Sequence, residues 1–349
     1  MIEIKNLSVE LGDFTLKNVS LEIGESEYFI ILGPTGSGKT VLLESIAGLY
    51  PVRNGEIWLR GENVTGIEPE YRNIGIVYQD HVLFPHLSVK DNICFGLKMH
   101  KMKKEEIAER LDWIVDLLNI HHLLHRRPDT LSGGEKQKVS LARALSTNPE
   151  ILLVDEPLSA LDPESKETVQ QELKELHKKL GITIVHVTHD FEEAISLGTR
   201  IAVIGEGQVK QTGTPDEIFR KPNSEFVARF ALARNILKGD IIRKNGNSAI
   251  FRTEGTDLAI VSETEGTCNA AIRPEDIIIS LEPIRSSARN CFEGRVTGVL
   301  DKGSTLYVKV TVPPELSVLV TRNSFDELEL KEGKTVFVTF KATSIHLFQ

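Results

Sequence analysis

The chain has 349 residues, 40% of them hydrophobic and 26% charged, with a formal net charge of −9. That length allows two or three domains with a sizeable core and excludes global disorder. The negative balance argues against a nucleic-acid-binding surface, and three scattered cysteines (Cys94, Cys268, Cys291) give no zinc spacing and fit a reducing compartment.

The start of the chain, Met1 to Leu7, alternates as a strand and not as a signal peptide. No apolar run approaches the roughly 18–20 residues of a membrane span, so work at a membrane requires a partner that supplies the spans. Residues 1–27 read as short antiparallel strands, with Ile2, Ile4, Val19, Leu21 and Ile23 alternating with polar neighbours. Tyr28 to Leu32 reads as a buried strand and Val41 to Ala47 as the first turns of a helix. Between them lies Gly33-Pro34-Thr35-Gly36-Ser37-Gly38-Lys39-Thr40, a phosphate-binding loop in its strand–loop–helix setting. Its glycines let backbone N–H groups converge on an anion at a helix N-terminus, Lys39 reaches the outer phosphates, and the Thr40 hydroxyl can ligate Mg²⁺. A nucleoside triphosphate is the expected ligand.

Gly55 to Gly61 reads as a further strand between glycine turns, and Ile74 to Tyr78 as a buried strand that delivers Gln79. Residues of about 88–148 are helical, with Ile107, Leu111, Ile114, Val115 and Leu118 forming one apolar stripe. Leu131-Ser132-Gly133-Gly134-Glu135 places Ser132 to cap a helix through Leu145, and the glycines behind it expose a second anion site. Ile151 to Val154 and Ile182 to Val187 read as buried strands ending in Asp155-Glu156 and at His189. Strands alternating with helices predict a parallel sheet covered on both faces, with ligands at the carboxyl ends of its strands. There Asp155 can hold the Mg²⁺ shell and Glu156 can act as general base toward water. From about residue 236 the chain turns strand-like, and Leu306, Val308, Val310 and Val312 alternate as a half-buried strand. A small all-β barrel of the oligonucleotide/oligosaccharide-binding kind is expected over 236–349.

Over about the first 230 residues these motifs, in this order, resemble the ATP-binding-cassette ATPases, an α/β P-loop NTPase fold with a helical subdomain. The resemblance implies that Leu131–Glu135 is the signature motif and that Gln79 touches metal and water. It also implies that Ser159-Ala-Leu-Asp162 crosses a dimer interface and that His189 is the switch histidine. Two cassettes would then pack head to tail, with Ser132, Gly133 and Gly134 acting in trans on the other copy's ATP. The family stacks an aromatic residue on adenine near the end of the first hairpin. Leu11 occupies that spacing here, with Phe14 three residues on.

Tyr78 to Val89, with Leu83 and Phe84, resembles importer ATPases of the sugar, polyamine and anion group, where this stretch receives a helix of the membrane subunit. The last 65 or so residues resemble the molybdate-binding domain of molbindins. Ser287, Arg289, Lys341 and Ser344 supply cations and hydroxyls suited to a tetrahedral dianion, provided the ends of the domain meet. The resemblance thus implies an ATPase at the cytoplasmic face of the cell membrane, peripherally bound. Its partners are a second copy, integral membrane permease subunits and an extracytoplasmic binding protein, and molybdate or tungstate is cargo and a possible regulatory ligand. Three alternatives stay open. They are an importer ATPase for sulfate, sugar or polyamine with a structural β domain, a soluble cassette ATPase of repair or translation, and an oxyanion sensor.

Overall fold

The computed structural model describes the chain except residues 160, 232–233, 246–247 and 349 and the side chains of 163–164, 243–245 and 248. It divides into two compact units, Met1–Pro215 and Asp216–Gln349.

The first unit opens with an antiparallel hairpin, β1 (Ile2–Leu11) and β2 (Phe14–Ile23). Next come β3 (Tyr28–Leu32) and the nine-residue helix α1 (Lys39–Ala47). β4 (Asn54–Leu59) and β5 (Glu62–Asn63) complete a four-stranded antiparallel sheet of order β2-β1-β4-β5. The second sheet carries the site. It contains β3, β6 (Ile74–Val77), β7 (Ile151–Asp155), β8 (Thr183–Thr188), β9 (Arg200–Gly205) and β10 (Gln208–Gly213), in the order β10-β9-β3-β8-β7-β6. All its pairings are parallel except that of the edge strand β10.

The central strands β3, β7 and β8 are buried along their whole length, which is why they read as continuous apolar runs and not as alternating ones. One core cluster joins the two sheets and α1 through Ile4, Leu7, Phe29, Ile31, Leu42, Leu43, Ile57 and Val185. The register sets Leu32 opposite Thr188 and Val77 opposite Val154, so the carboxyl ends of β3, β6, β7 and β8 emerge at one edge.

Between β6 and β7 lie three helices, α2 (Val89–Met99), α3 (Lys104–Leu118) and α4 (Gly133–Ser146). The expected stripe buries Leu111, Ile114, Val115 and Leu118. The unit is completed by α5 (Pro163–Leu180) and α6 (Phe191–Leu197). Among the described residues no helix is long and apolar enough to cross a membrane.

Two short helices, α7 (Pro215–Arg220) and α8 (Glu225–Phe230), fall within the first 230 or so residues that the resemblance assigns to the ATPase domain. Ala228 of α8 is instead buried with Ala271 and Phe348 of the second unit, and His346 Nε2 meets the Pro222 carbonyl at 3.0 Å. Among the described residues the rest of that unit forms two five-stranded antiparallel sheets, with one short α-helix and two 3₁₀ turns. The larger core cluster draws on both, with Phe251, Ile272, Val308, Val318, Val338 and Phe340 in it.

Candidate functional site

The phosphate loop leaves β3 with no room for a side chain at Gly33 or Gly38. A Cβ on Gly33 would lie 2.3 Å from the Ile204 carbonyl oxygen. Gly38 has φ +101°, and a Cβ there would meet the Phe14 ring at 2.4 Å. Glycine is therefore required by packing at one position and by backbone conformation at the other. Gly38 also caps α1 with no side-chain hydrogen bond, and the first turn of α1 holds no acidic residue, which leaves its N-terminal field available to an anion. Ser37 Oγ is buried without a hydrogen-bond partner. Lys39, only 5% exposed, folds its Nζ back onto the carbonyls of Gly33 (3.0 Å) and Pro34 (3.1 Å). An orphan hydroxyl and a desolvated ammonium in one glycine cradle are what a polyphosphate would satisfy.

A cleft of about 530 Å³ opens over this loop, lined by Thr35, Gly36, Lys39, Thr40, Gln79 and Glu156 together with Phe14 and Val41. Phe14 thus borders the cleft. Leu11, its cross-strand partner at the tip of the hairpin, is 40% exposed and lies outside the lining.

β7 and β8 bring Asp155, Glu156 and His189 to the same edge. The Thr40 hydroxyl donates to Asp155 at 3.0 and 3.2 Å. Glu156 turns away from the strand at φ 41°, with its N–H held by the Val187 carbonyl at 2.9 Å. That turn places Oε1 3.7 Å from Lys39 Nζ and Oε2 3.1 Å from His189 Nδ1. Glu156 therefore bridges the loop lysine and the histidine that ends β8.

Burial pushes the Lys39 ammonium below its usual range, although Glu156 and Asp155 pull it back up. Burial raises the Asp155 carboxyl; Glu156 and Glu44 add to the rise, while Thr40 and Lys39 oppose it. Among the described residues no group of three His, Cys, Asp or Glu side chains could hold a metal unaided. One carboxylate with a hydroxyl suits a hard cation such as Mg²⁺, which takes few protein ligands and shares phosphate oxygens. Thr40 and Asp155 fit that description, with Gln79 on the same cleft.

Other expected residues lie elsewhere. Ser132 caps α4 in a capping box with Glu135, while Ser132 and Gly133 are exposed and, like Gly134, do not line the cleft. In the loop that follows Glu156, Ser159 Oγ donates to the Glu156 carbonyl at 2.9 Å; Ala160 lies outside the described residues, and Asp162 caps α5.

In the second unit Asn290 pairs with Phe340 at the end of a ladder, so the main chains of Arg289 and Lys341 flank one cross-strand pair. The Ser344 N–H donates to the Lys341 carbonyl at 3.1 Å. Ser287, Arg289 and Lys341 are exposed, and among the described residues no hydrogen bond joins the four side chains. Ser344 instead lines a separate pocket of about 220 Å³ with Arg220, Lys221, Arg273 and His346.

The sequence reading missed what fastens the segment after Gln79. Asn92, fully buried on α2, accepts from the Phe84 N–H (2.8 Å) and donates to the carbonyls of Phe84, Leu87 and Ser88. Arg143 of α4 donates to the Val82 and His81 carbonyls and lies over the Phe84 ring, which also meets the rings of Phe95 and His86. These bonds tie the Gln79 segment to both α2 and α4.

Residues 16–159 match the ABC transporter family model and residues 286–347 the TOBE domain model. The molybdate/tungstate import ATP-binding proteins WtpC of Pyrococcus horikoshii and Pyrococcus abyssi are each 44% identical over 349 residues, all of this chain and all of each relative. The spermidine/putrescine import ATP-binding protein PotA of Thermotoga maritima is 39% identical over 97% of this chain and 95% of its own. Among solved structures, the dimeric post-hydrolysis state of the ATP-binding cassette MJ0796 bound to ADP and Pi is 33% identical. It covers 62% of this chain and 99% of its own, with a TM-score of 0.56. The cbiO1 structure from Clostridium perfringens is 31% identical over 67% of this chain and 94% of its own, with a TM-score of 0.58. A full-length relative at this identity, together with the phosphate loop and its Glu156–His189 pair, settles the family: the chain belongs to the ATP-binding subunits of ABC transporters and is an ABC-type ATPase.

Proposed function

We propose that the chain is the ATP-hydrolysing subunit of an importer for molybdate or tungstate, bound peripherally at the cytoplasmic face of the cell membrane. The observation that carries the ATPase half is the placement of Glu156 between Lys39 and His189 at the mouth of the phosphate-loop cleft. In this reading the loop amides, Ser37 and Lys39 bind the phosphates, and Phe14 faces the adenine, in place of Leu11. Glu156 takes the proton of the attacking water, and His189 orients the Glu156 carboxylate and faces the terminal phosphate. Thr40, Asp155 and Gln79 hold Mg²⁺, which when bound neutralises phosphate charge. Ser132, Gly133 and Gly134 complete the site of a second copy. The segment fastened by Asn92 and Arg143 receives permease subunits, and an extracytoplasmic binding protein delivers the cargo.

Two relatives at 44% identity along the whole chain support the oxyanion cargo over the polyamine reading, for which a relative at 39% speaks. Arg289 and Lys341, with Ser287 and Ser344, form the proposed regulatory oxyanion site, through which accumulated cargo slows its own import by an inter-site coupling of about 1–3 kcal/mol. The test is the ATPase rate of the assembled transporter in vesicles. It should rise with a molybdate- or tungstate-loaded binding protein and not with spermidine or sulfate. Molybdate or tungstate on the ATPase side should then lower it. Stimulation by spermidine alone overturns the cargo assignment, and an unchanged rate in the second titration overturns the regulatory one.

A further inference from the structure

Behind the Glu156–His189 pair lies a cluster of charges that is partly exposed at Lys166 and Asp190 and buried at Glu193. α5 begins directly after the Ser159–Asp162 loop, and Asp162 caps it by accepting the Ser165 N–H at 3.0 Å. One turn in, Lys166 Nζ reaches Asp190 Oδ2 at 2.5 Å and Glu193 Oε1 at 2.8 Å. Asp190 follows His189 directly and caps α6, accepting the N–H groups of Glu192 (2.7 Å) and Glu193 (3.2 Å). Glu193 is almost wholly buried; its Oε2 accepts the Thr188 hydroxyl at 2.7 Å and stands 3.4 Å from His186 Nε2. His186 Nδ1 in turn lies 3.0 Å from the Tyr28 hydroxyl on β3.

The residues on either side of His189, Thr188 and Asp190, are therefore pinned by this cluster, while the His189 ring itself is half-exposed and leans on Glu156. A cavity of about 220 Å³ joins the two groups, lined by Glu156, Ser159, Lys166, His189, Asp190 and Glu193. Two carboxylates this close, one of them buried, repel each other unless a cation lies between them, and Lys166 occupies that position.

We propose that Lys166 is a positioning residue for hydrolysis: by clamping Asp190 and Glu193 to the start of α5, it holds His189 in register with Glu156 and links that register to the Ser159–Asp162 loop. The inference rests on the roles proposed above for Glu156 and His189.

The test uses steady-state hydrolysis by the full chain. Lys166→Met should lower kcat roughly ten- to hundredfold, the scale of a misplaced catalytic group. KM for ATP should change by less than about twofold, since Lys166 does not line the nucleotide cleft. Lys166→Arg should recover most of the lost kcat. Adding Lys166→Met to His189→Ala should cost little more than His189→Ala alone, because the effect passes through that histidine. Asp190→Asn keeps the α6 cap but breaks the clamp from its other side, and should reproduce the kcat loss. If Lys166→Met does not fold, Asp190→Asn decides by the same criteria. Wild-type kcat in these variants, no recovery with arginine, or full multiplication with His189→Ala overturns the proposal. Glu156→Gln separates the two levels. If it still turns over, the functional reading fails; if it is inactive while Lys166→Met is unaffected, the positioning role alone fails.

Discussion

Replacing Glu156 with glutamine keeps the shape of the side chain and removes its charge, and the two contacts of the carboxylate predict opposite effects on chemistry and on binding. Loss of a general base costs about 10²–10⁴ in rate, or about 3–5 kcal/mol of barrier. Oε1 lies 3.7 Å from Lys39 Nζ, an attraction on the order of 4 kcal/mol at an effective dielectric of 20. Glu156 is 18% exposed, and Lys39 keeps its two carbonyl bonds, so solvent screening leaves roughly 1–2 kcal/mol of that attraction to be released toward phosphate. Turnover should therefore fall at least about a hundredfold, while ATP affinity rises about tenfold instead of falling. Single-turnover hydrolysis and calorimetric titration of Mg·ATP on the full chain measure the two separately. Turnover within about tenfold of the parent refutes the general-base role. A weakened affinity instead makes Glu156 a scaffold for Lys39.

Three further outcomes follow from the same geometry. Lys39→Ala should weaken ATP binding itself, read by the same calorimetry; unchanged affinity means that the ammonium does not reach the phosphates. Arg72 is 2% exposed and donates to the carbonyls of Ser45, Ile46, Thr65 and Ile67, capping the far end of α1. Arg72→Met removes all four of these bonds, leaving the Ser45 carbonyl only the Gly48 N–H, and should cost about 3–5 kcal/mol in urea unfolding; a loss under about 1 kcal/mol sinks the account. Burial pushes the Glu193 carboxyl up, but His186, Lys166 and Thr188 outweigh it and lower it from 4.5 to about 2. The stability this contributes is complete above 4.5 and is lost as pH falls toward 2, a span on the order of 3 kcal/mol. Unfolding of Glu193→Gln at a series of pH values should lack that acid slope, and an unchanged slope assigns it to other carboxylates.

What the sequence discloses and what it hides differ in range. The phosphate loop, Asp155, Glu156 and His189 were legible because each follows a strand recognisable by its own run of apolar residues, and parallel strands deliver their ends to one edge. Ser132 was legible because a cap and its Glu135 partner are three residues apart. Asn92, Arg143 and Arg72 were not, since most of their partners are backbone carbonyls, which carry no sequence signal. Lys166 was hidden differently. It reads as one more charge on an amphipathic helix until the fold brings Asp190, 24 positions away, to its ammonium. Helices α7 and α8 are six residues each, too short for periodicity to reveal which core they join.

The exposed N-terminus of α4 has the chemistry of an anion site of its own. A glutamate in the first turn would ordinarily repel a phosphate arriving there. Glu135 instead turns its Oε2 back onto the Ser132 N–H at 2.7 Å and gives its Oε1 to Arg126 at 3.0 Å. Those bonds, the Ser132 N–H first, hold the carboxyl below its usual range while satisfying its charge locally. Gly134 has open space where a Cβ would stand, so its backbone can be approached closely. The result is an anion-ready helix end with its own carboxylate neutralised, lying outside the cleft that holds Lys39. On the proposed reading that end serves the nucleotide of a second copy. Ser132→Arg, a bulky side chain at an exposed position outside the first copy's cleft, should then leave ATP affinity of the monomer unchanged while abolishing the ATP-dependent dimer of Glu156→Gln chains. A dimer that still forms on size-exclusion chromatography with ATP would remove this helix from the composite site.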